Sequence, residues 1–181
     1  MRRARARSDR PGRDRARRSR GPPRARRLDR AEAGVSRSRS RSAARLAAVQ
    51  ALYQHEMEAT PTARLLHEFH EHRLGATVGD SAFHDAEVEF FDDLVSEAIA
   101  RAEEIDALIA ARLAEGWTLA RLDRPQKAIL RAGTYELIAR ADVPTATVIS
   151  EYLDVADAFY DKREKGFVNG LLDSIAKEVR G

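Results

Sequence analysis

The sequence predicts an all-α protein: a compact bundle of about seven helices behind a disordered, arginine-rich N-terminal extension. Three observations carry this reading. From Ser42 onward apolar residues recur at spacings of three, four and seven, the period of a helix face. No segment stands out with the β-branched alternation of a half-buried strand. Charge also divides the chain. Residues 1–41 hold 17 arginines, no lysine and four acids, a net of +13. Residues 42–181 hold 15 Lys+Arg against 25 Asp+Glu, a net of −10. A basic arm beside an acidic body points to a nucleic-acid partner.

The domain boundary is expected near residue 40, with the arm at 1–40 and the helical domain at 41–181. Leu28 and Val35 are the only large aliphatics of the arm, too few to offset the entropy of ordering it. In "VSRSRSRSAAR", Val35 would be the true start if translation began at a valine-type codon. Residues 1–34 would then be an artefact of gene calling. Ser42 is the expected N-cap of the first core helix, whose stripe is Leu46, Val49, Tyr53 and Met57. Thr60 caps the next helix, with Pro61 at its first position, through "TARLLHEFHEHRL". "GATVGDS" reads as a loop. The following pattern exceeds 30 residues and should break in two near residues 102–104. Asp123 caps "RPQKAILRAGTYELIARA", and Pro144 opens "PTATVISEYLDVADAFY". Charged "DKREK" reads as a link to a last helix from Phe167, with Phe167, Leu171 and Ile175 on one side. Gly166 and Gly170 bracket its first turn, at about 0.5–1 kcal/mol each relative to alanine.

Composition narrows the function. The chain has no cysteine, which excludes disulfides and thiolate metal sites. No apolar run reaches the ~18–20 residues that span a bilayer, so a soluble, cytoplasmic protein is expected. "HEFHEH" puts His67, His70 and Glu71 on one face. It is not a zincin pattern, because Glu71 stands four after His67, and a solvated face is the reading. The carboxylates of "FFDD" and "AEEID" have no paired nucleophile or base. Neither an enzyme nor a cofactor is expected.

Four stretches, in order, resemble the NusB family of transcription antitermination factors: "AARLAAVQALYQ", "RPQKAILRAGTYEL", "DVPTATVISEYLDVADAF" and "FVNGLLDSIAKEVR". The resemblance covers roughly residues 41–180. It implies a helical bundle and a non-enzymatic RNA-binding factor. The implied partners are the single-stranded boxA element of ribosomal RNA leaders and ribosomal protein NusE. The pair joins an antitermination complex on RNA polymerase with the other Nus factors. The alternative is a helical protein-interaction module without specific RNA recognition.

The resemblance also places RNA contact at the basic end of the first core helix: Arg37, Arg39, Arg41 and Arg45. Arginine neutralises phosphate and stacks on unpaired bases. Arg41 and Arg45, four apart, share a face. Lys162, Arg163 and Lys165 form a second cluster. The family's basic residue before "FVNG" is Gly166 here, and Lys165 is the nearest substitute. Tyr53 and Phe167 read either as stacking platforms or as core. Gln126, Lys127 and Arg131 read as contacts for RNA or NusE, or as an exposed face. Asn169 reads as an RNA contact or as a cap. Gly133, Gly166 and Gly170 would let a helix backbone or an RNA strand approach closely.

Overall fold

The computed structural model describes residues 25–74 and 87–181, with side chains from residue 37 onward in the first segment. Seven α-helices and no strand occur among the described residues. They are α1 (Ala25–Glu58), α2 (Thr62–His72), α3 (Val88–Ala100), α4 (Ala102–Ala110), α5 (Arg124–Ala139), α6 (Thr145–Asp157) and α7 (Lys162–Arg180). A 3-10 turn, Leu119–Arg121, precedes α5.

The bundle is built around α5. Its sequence "AILRAGTYEL" is apolar or small on nearly every side, and a helix of that kind belongs in a core. Residues Ala128 through Leu137 are buried apart from Arg131. Helices α1, α3, α4, α6 and α7 all pack on it. Gly133 makes this possible. A Cβ there would stand 3.0 Å from Leu172 and 3.2 Å from Tyr152, so α5 meets α6 and α7 more closely than a side chain allows.

The capping chemistry explains which boundaries hold. The Asp123 side chain accepts from the Gln126 N–H at 2.8 Å, with Pro125 in the first turn, so α5 begins where its sequence places it. The long pattern breaks at Arg101, one residue ahead of the expected place.

Other boundaries differ. Ser42 is no cap: α1 starts at Ala25, and the Ser42 hydroxyl lies within hydrogen-bond distance of the Ser38 carbonyl one turn back, at 3.0 Å. It also donates to Glu151. Residues 25–40, expected to be disordered, therefore continue the helix. Residues 1–24 lie outside the described residues. Good helix formers (Ala, Arg, Leu, Glu) predominate in 25–33, and Arg37 and Arg41 both reach Glu87 at the entrance to α3. Thr60 does not cap α2 either. Pro61 is the N-cap and makes no side-chain cap bond, while Thr60 is buried and its carbonyl accepts from His55 at 2.8 Å. "DKREK" is no linker: Asp161 accepts from the Arg163 N–H at 2.9 Å and caps α7, which begins at Lys162.

"GATVGDS" lies outside the described residues. No group of three metal-ligating side chains converges among the described residues, and His70 instead lies 2.6 Å from Asp92. No helix among them is long and apolar enough to cross a membrane.

Candidate nucleic-acid interface

The basic residues divide into those consumed by the fold and those left to solvent. Arg45 belongs wholly to the first group. It is 2% exposed and forks onto Glu136 at 2.6 and 2.9 Å, with Glu151 at 3.1 Å. Burial works against its charge, but the bonds and charge of Glu136 outweigh burial and raise the guanidinium pKa. A bidentate pair of this kind pins α1 to α5 and α6. Arg45, expected at the RNA, is thus a structural residue here.

Arg41 is held as well. It bonds Glu87 at 3.1 Å, lies 3.7 Å from Asp142, and sits 4.8 Å above the Phe90 ring. Arg45 and Arg140 share that ring, at 5.2 and 5.0 Å. At this end of α1, Arg37 and Arg39 are the exposed cations with described side chains. Arg37 touches Glu87 only at 3.8 Å.

The cations of α5 are also spoken for. Lys127 pairs with Glu56. Arg131 bonds Asp106 at 2.8 Å and Glu56 at 2.9 Å, and these bonds, Asp106 foremost, raise its pKa. Both read as contacts for RNA or NusE, or as an exposed face; the structure places them in ion pairs that tie α1 and α4 to α5. Gln126 is half-buried at the α5 start. Lys165, the nearest substitute for the basic residue missing at Gly166, pairs with Asp157.

What stays open is the start of α7. Lys162, Arg163 and Asn169 are exposed, and no carboxylate lies in ion-pair range of Lys162 or Arg163 among the described residues. A Cβ added at Gly166 or Gly170 would meet nothing within 4 Å. Helix packing therefore does not explain these two glycines. Phe167 is half-buried, its ring centre 6.3 Å from that of Trp117.

Tyr53 is 39% exposed. With Met57, Pro125 and Phe159 it lines a groove of 650 Å³. A second depression, of 510 Å³, runs from Tyr53 past Glu56, Asp123 and Arg124 to Ala120 in the 3-10 turn. Phe159 and Trp117 are 45% and 48% exposed, and sequence reasoning passed over both. The available signal was a lone tryptophan beside Gly116 between two helices. Bare rings beside unpaired cations can stack bases and neutralise phosphates.

The fold and this face define a class: an all-helical binding domain assembled around one central helix. The NusB family model matches residues 42–177, and the chain belongs to that family of transcription antitermination proteins. It is 70% identical over 144 residues to the transcription antitermination protein NusB of Sphingopyxis alaskensis, covering 80% of this chain and 97% of that one. It is 46% identical over 145 residues to its Caulobacter vibrioides counterpart, covering 80% and 97%. The solved structure of T. maritima NusB is similar, with a TM-score of 0.65 and 32% identity over 78% of this chain and 93% of that one. So is the NusB of a crystal structure of antitermination factors NusB and NusE in complex with dsRNA. There the TM-score is 0.65 and the identity 28%, over 77% of this chain and 98% of that one. Family membership makes the protein a regulatory factor and not an enzyme.

Proposed function

We propose that this protein binds the single-stranded boxA element of nascent ribosomal RNA together with ribosomal protein NusE. It does so in the cytoplasm, within an antitermination complex on RNA polymerase that includes the other Nus factors. The observation that carries the reading is the open face at the start of α7. Phe167 and Asn169 stand among glycines with no neighbour, beside Lys162 and Arg163. A helix turn stripped of side chains lets a strand lie close to backbone, and the ring and cations supply stacking and phosphate contact. Arg37 and Arg39 add charge at the far end of α1. The similar NusB solved with NusE and dsRNA supports a joint mode of binding. The acidic body suits a basic ribosomal protein, with charge complementarity raising the on-rate.

The test is RNA binding by the purified chain, boxA against a scrambled single strand, with and without NusE. BoxA should be retained preferentially. NusE should raise RNA affinity by the same factor by which RNA raises NusE affinity, because coupling is reciprocal. Equal retention of both RNAs would leave a helical interaction module. Independent titrations would remove the cooperative pair.

A further inference from the structure

We infer that Trp117 is a base-stacking residue of this protein. It extends the single-strand path from the start of α7 onto the loop ahead of α5, with Arg121 as its phosphate partner. The inference rests on the RNA-binding reading above and adds residues to it.

The geometry is that of a built platform. Gly116 has φ of +80°, the left-handed region that suits glycine, and sits in the turn between α4 and the 3-10 turn. The Trp117 N–H donates to the Ala114 carbonyl at 2.9 Å, which fixes the backbone under the ring. Arg121 lies over the indole, its guanidinium carbon 5.0 Å from the ring centre, and donates to the Gly116 carbonyl at 2.9 Å. Loop, indole and guanidinium thus brace one another. Yet the indole stays 48% exposed. About half of its surface is thus left to solvent, where the ring face is available to a ligand.

Position and charge select the occupant. Trp117 adjoins Phe167, whose helix turn carries the two open glycines. Ala120, next to Arg121, lines the depression that leads to Tyr53. Phe167 and Trp117 are thus neighbours, and Tyr53 is reached from there across a depression that Glu56, Asp123, Arg124 and Lys127 also line. Arg121, Lys162 and Arg163 are exposed beside them, with no carboxylate in ion-pair range among the described residues. Rings interleaved with unpaired cations suit single-stranded nucleic acid, because every base has a face to stack and every nucleotide a phosphate.

The chain has one tryptophan, so its emission reports this spot alone. The full chain is titrated with boxA RNA, with anisotropy of labelled RNA reading binding and tryptophan emission reading contact. RNA should quench the emission in step with binding. Trp117→Ala should lower RNA affinity about fivefold or more, the low end of what one lost base–aromatic stack costs. Trp117→Phe should recover most of that loss. Arg121→Gln should weaken binding and flatten its salt dependence. If Trp117→Ala unfolds, the wild-type emission and Trp117→Phe decide. RNA that binds by anisotropy with emission unmoved, or Trp117→Ala binding as wild type, sinks the inference and leaves the RNA reading standing. Emission that moves with NusE alone and not with RNA also overturns it. Absence of RNA binding by wild type defeats the functional reading itself.

Discussion

Glycines 133 and 170 sit in neighbouring helices and should respond oppositely to one methyl group. Each gains about 0.5–1 kcal/mol of helix propensity on replacement by alanine. At Gly170 nothing opposes that gain, since the new Cβ meets nothing within 4 Å. At Gly133 the Cβ would stand 3.0 and 3.3 Å from the Leu172 methyls and 3.2 Å from the Tyr152 ring. Leu172 and Tyr152 are both fully buried, so neither has room to move away. Overpacking of this kind costs about 1–3 kcal/mol, which exceeds the propensity gain. Gly170→Ala should therefore raise the melting temperature, by about 1–4 °C for a chain of this size. Gly133→Ala should lower it or leave a net loss of up to about 2 kcal/mol in urea. On the proposed reading the same Gly170→Ala protein should bind boxA RNA less well, because the methyl would stand where the strand approaches. Higher stability with weaker binding is what a functional glycine leaves behind. A Gly133→Ala protein more stable than wild type would refute the packing argument. Undiminished RNA binding by Gly170→Ala would refute the strand argument.

Two further outcomes follow from the charges. Arg45→Met removes one partner of the buried Arg45–Glu136 pair and leaves a buried carboxylate, so stability should fall by about 3–5 kcal/mol; among molecules that remain folded, the boxA-to-scrambled affinity ratio should hold, and a collapse of that ratio would return Arg45 to the RNA. Deleting residues 1–34 should weaken boxA and scrambled RNA by similar factors and flatten a salt dependence of about −0.7 per phosphate neutralised; a selective loss of boxA would place recognition in the arm.

What the sequence made legible was whatever chemistry is local. Asp123 and Pro125 announce α5 within four residues, and the apolar density of α5 announces its burial. Local signals also misled. Ser42 has the chemistry of a cap but spends it on its own helix and on Glu151. Asp161 capped α7 from within a charged run that reads as a linker. The site residues were less legible, because their fate depends on partners far along the chain. Arg45 meets Glu136 across 91 residues, and Arg131 meets Glu56 across 75. No spacing rule reaches that far. Counting arginines at a helix end measures potential contacts, and the fold then withdraws those that find a carboxylate.

That withdrawal bears on how RNA would be recognised under the proposed function. The body from residue 42 onward carries a net of −10, and its acids claim Arg45, Lys127, Arg131, Arg140 and Lys165. A phosphate chain approaching this body meets repulsion nearly everywhere. The exceptions include the start of α7, the loop of Arg121, Arg73 and Arg124, which bond Gln50 and Met57, and the arginines that α1 carries outward. Charge on α1 acts at a distance and reads no sequence, because phosphates are alike on every strand. In the proposed mode of binding, selectivity would fall to Phe167, Asn169 and the neighbouring rings, which are placed to touch bases. Few phosphates are neutralised at that face, so its share of the affinity should resist salt more than the arm's share does. The acidic surround serves this division. On the proposed reading it disfavours strands over most of the body and leaves the turn where glycines bare the backbone as one of the few open approaches.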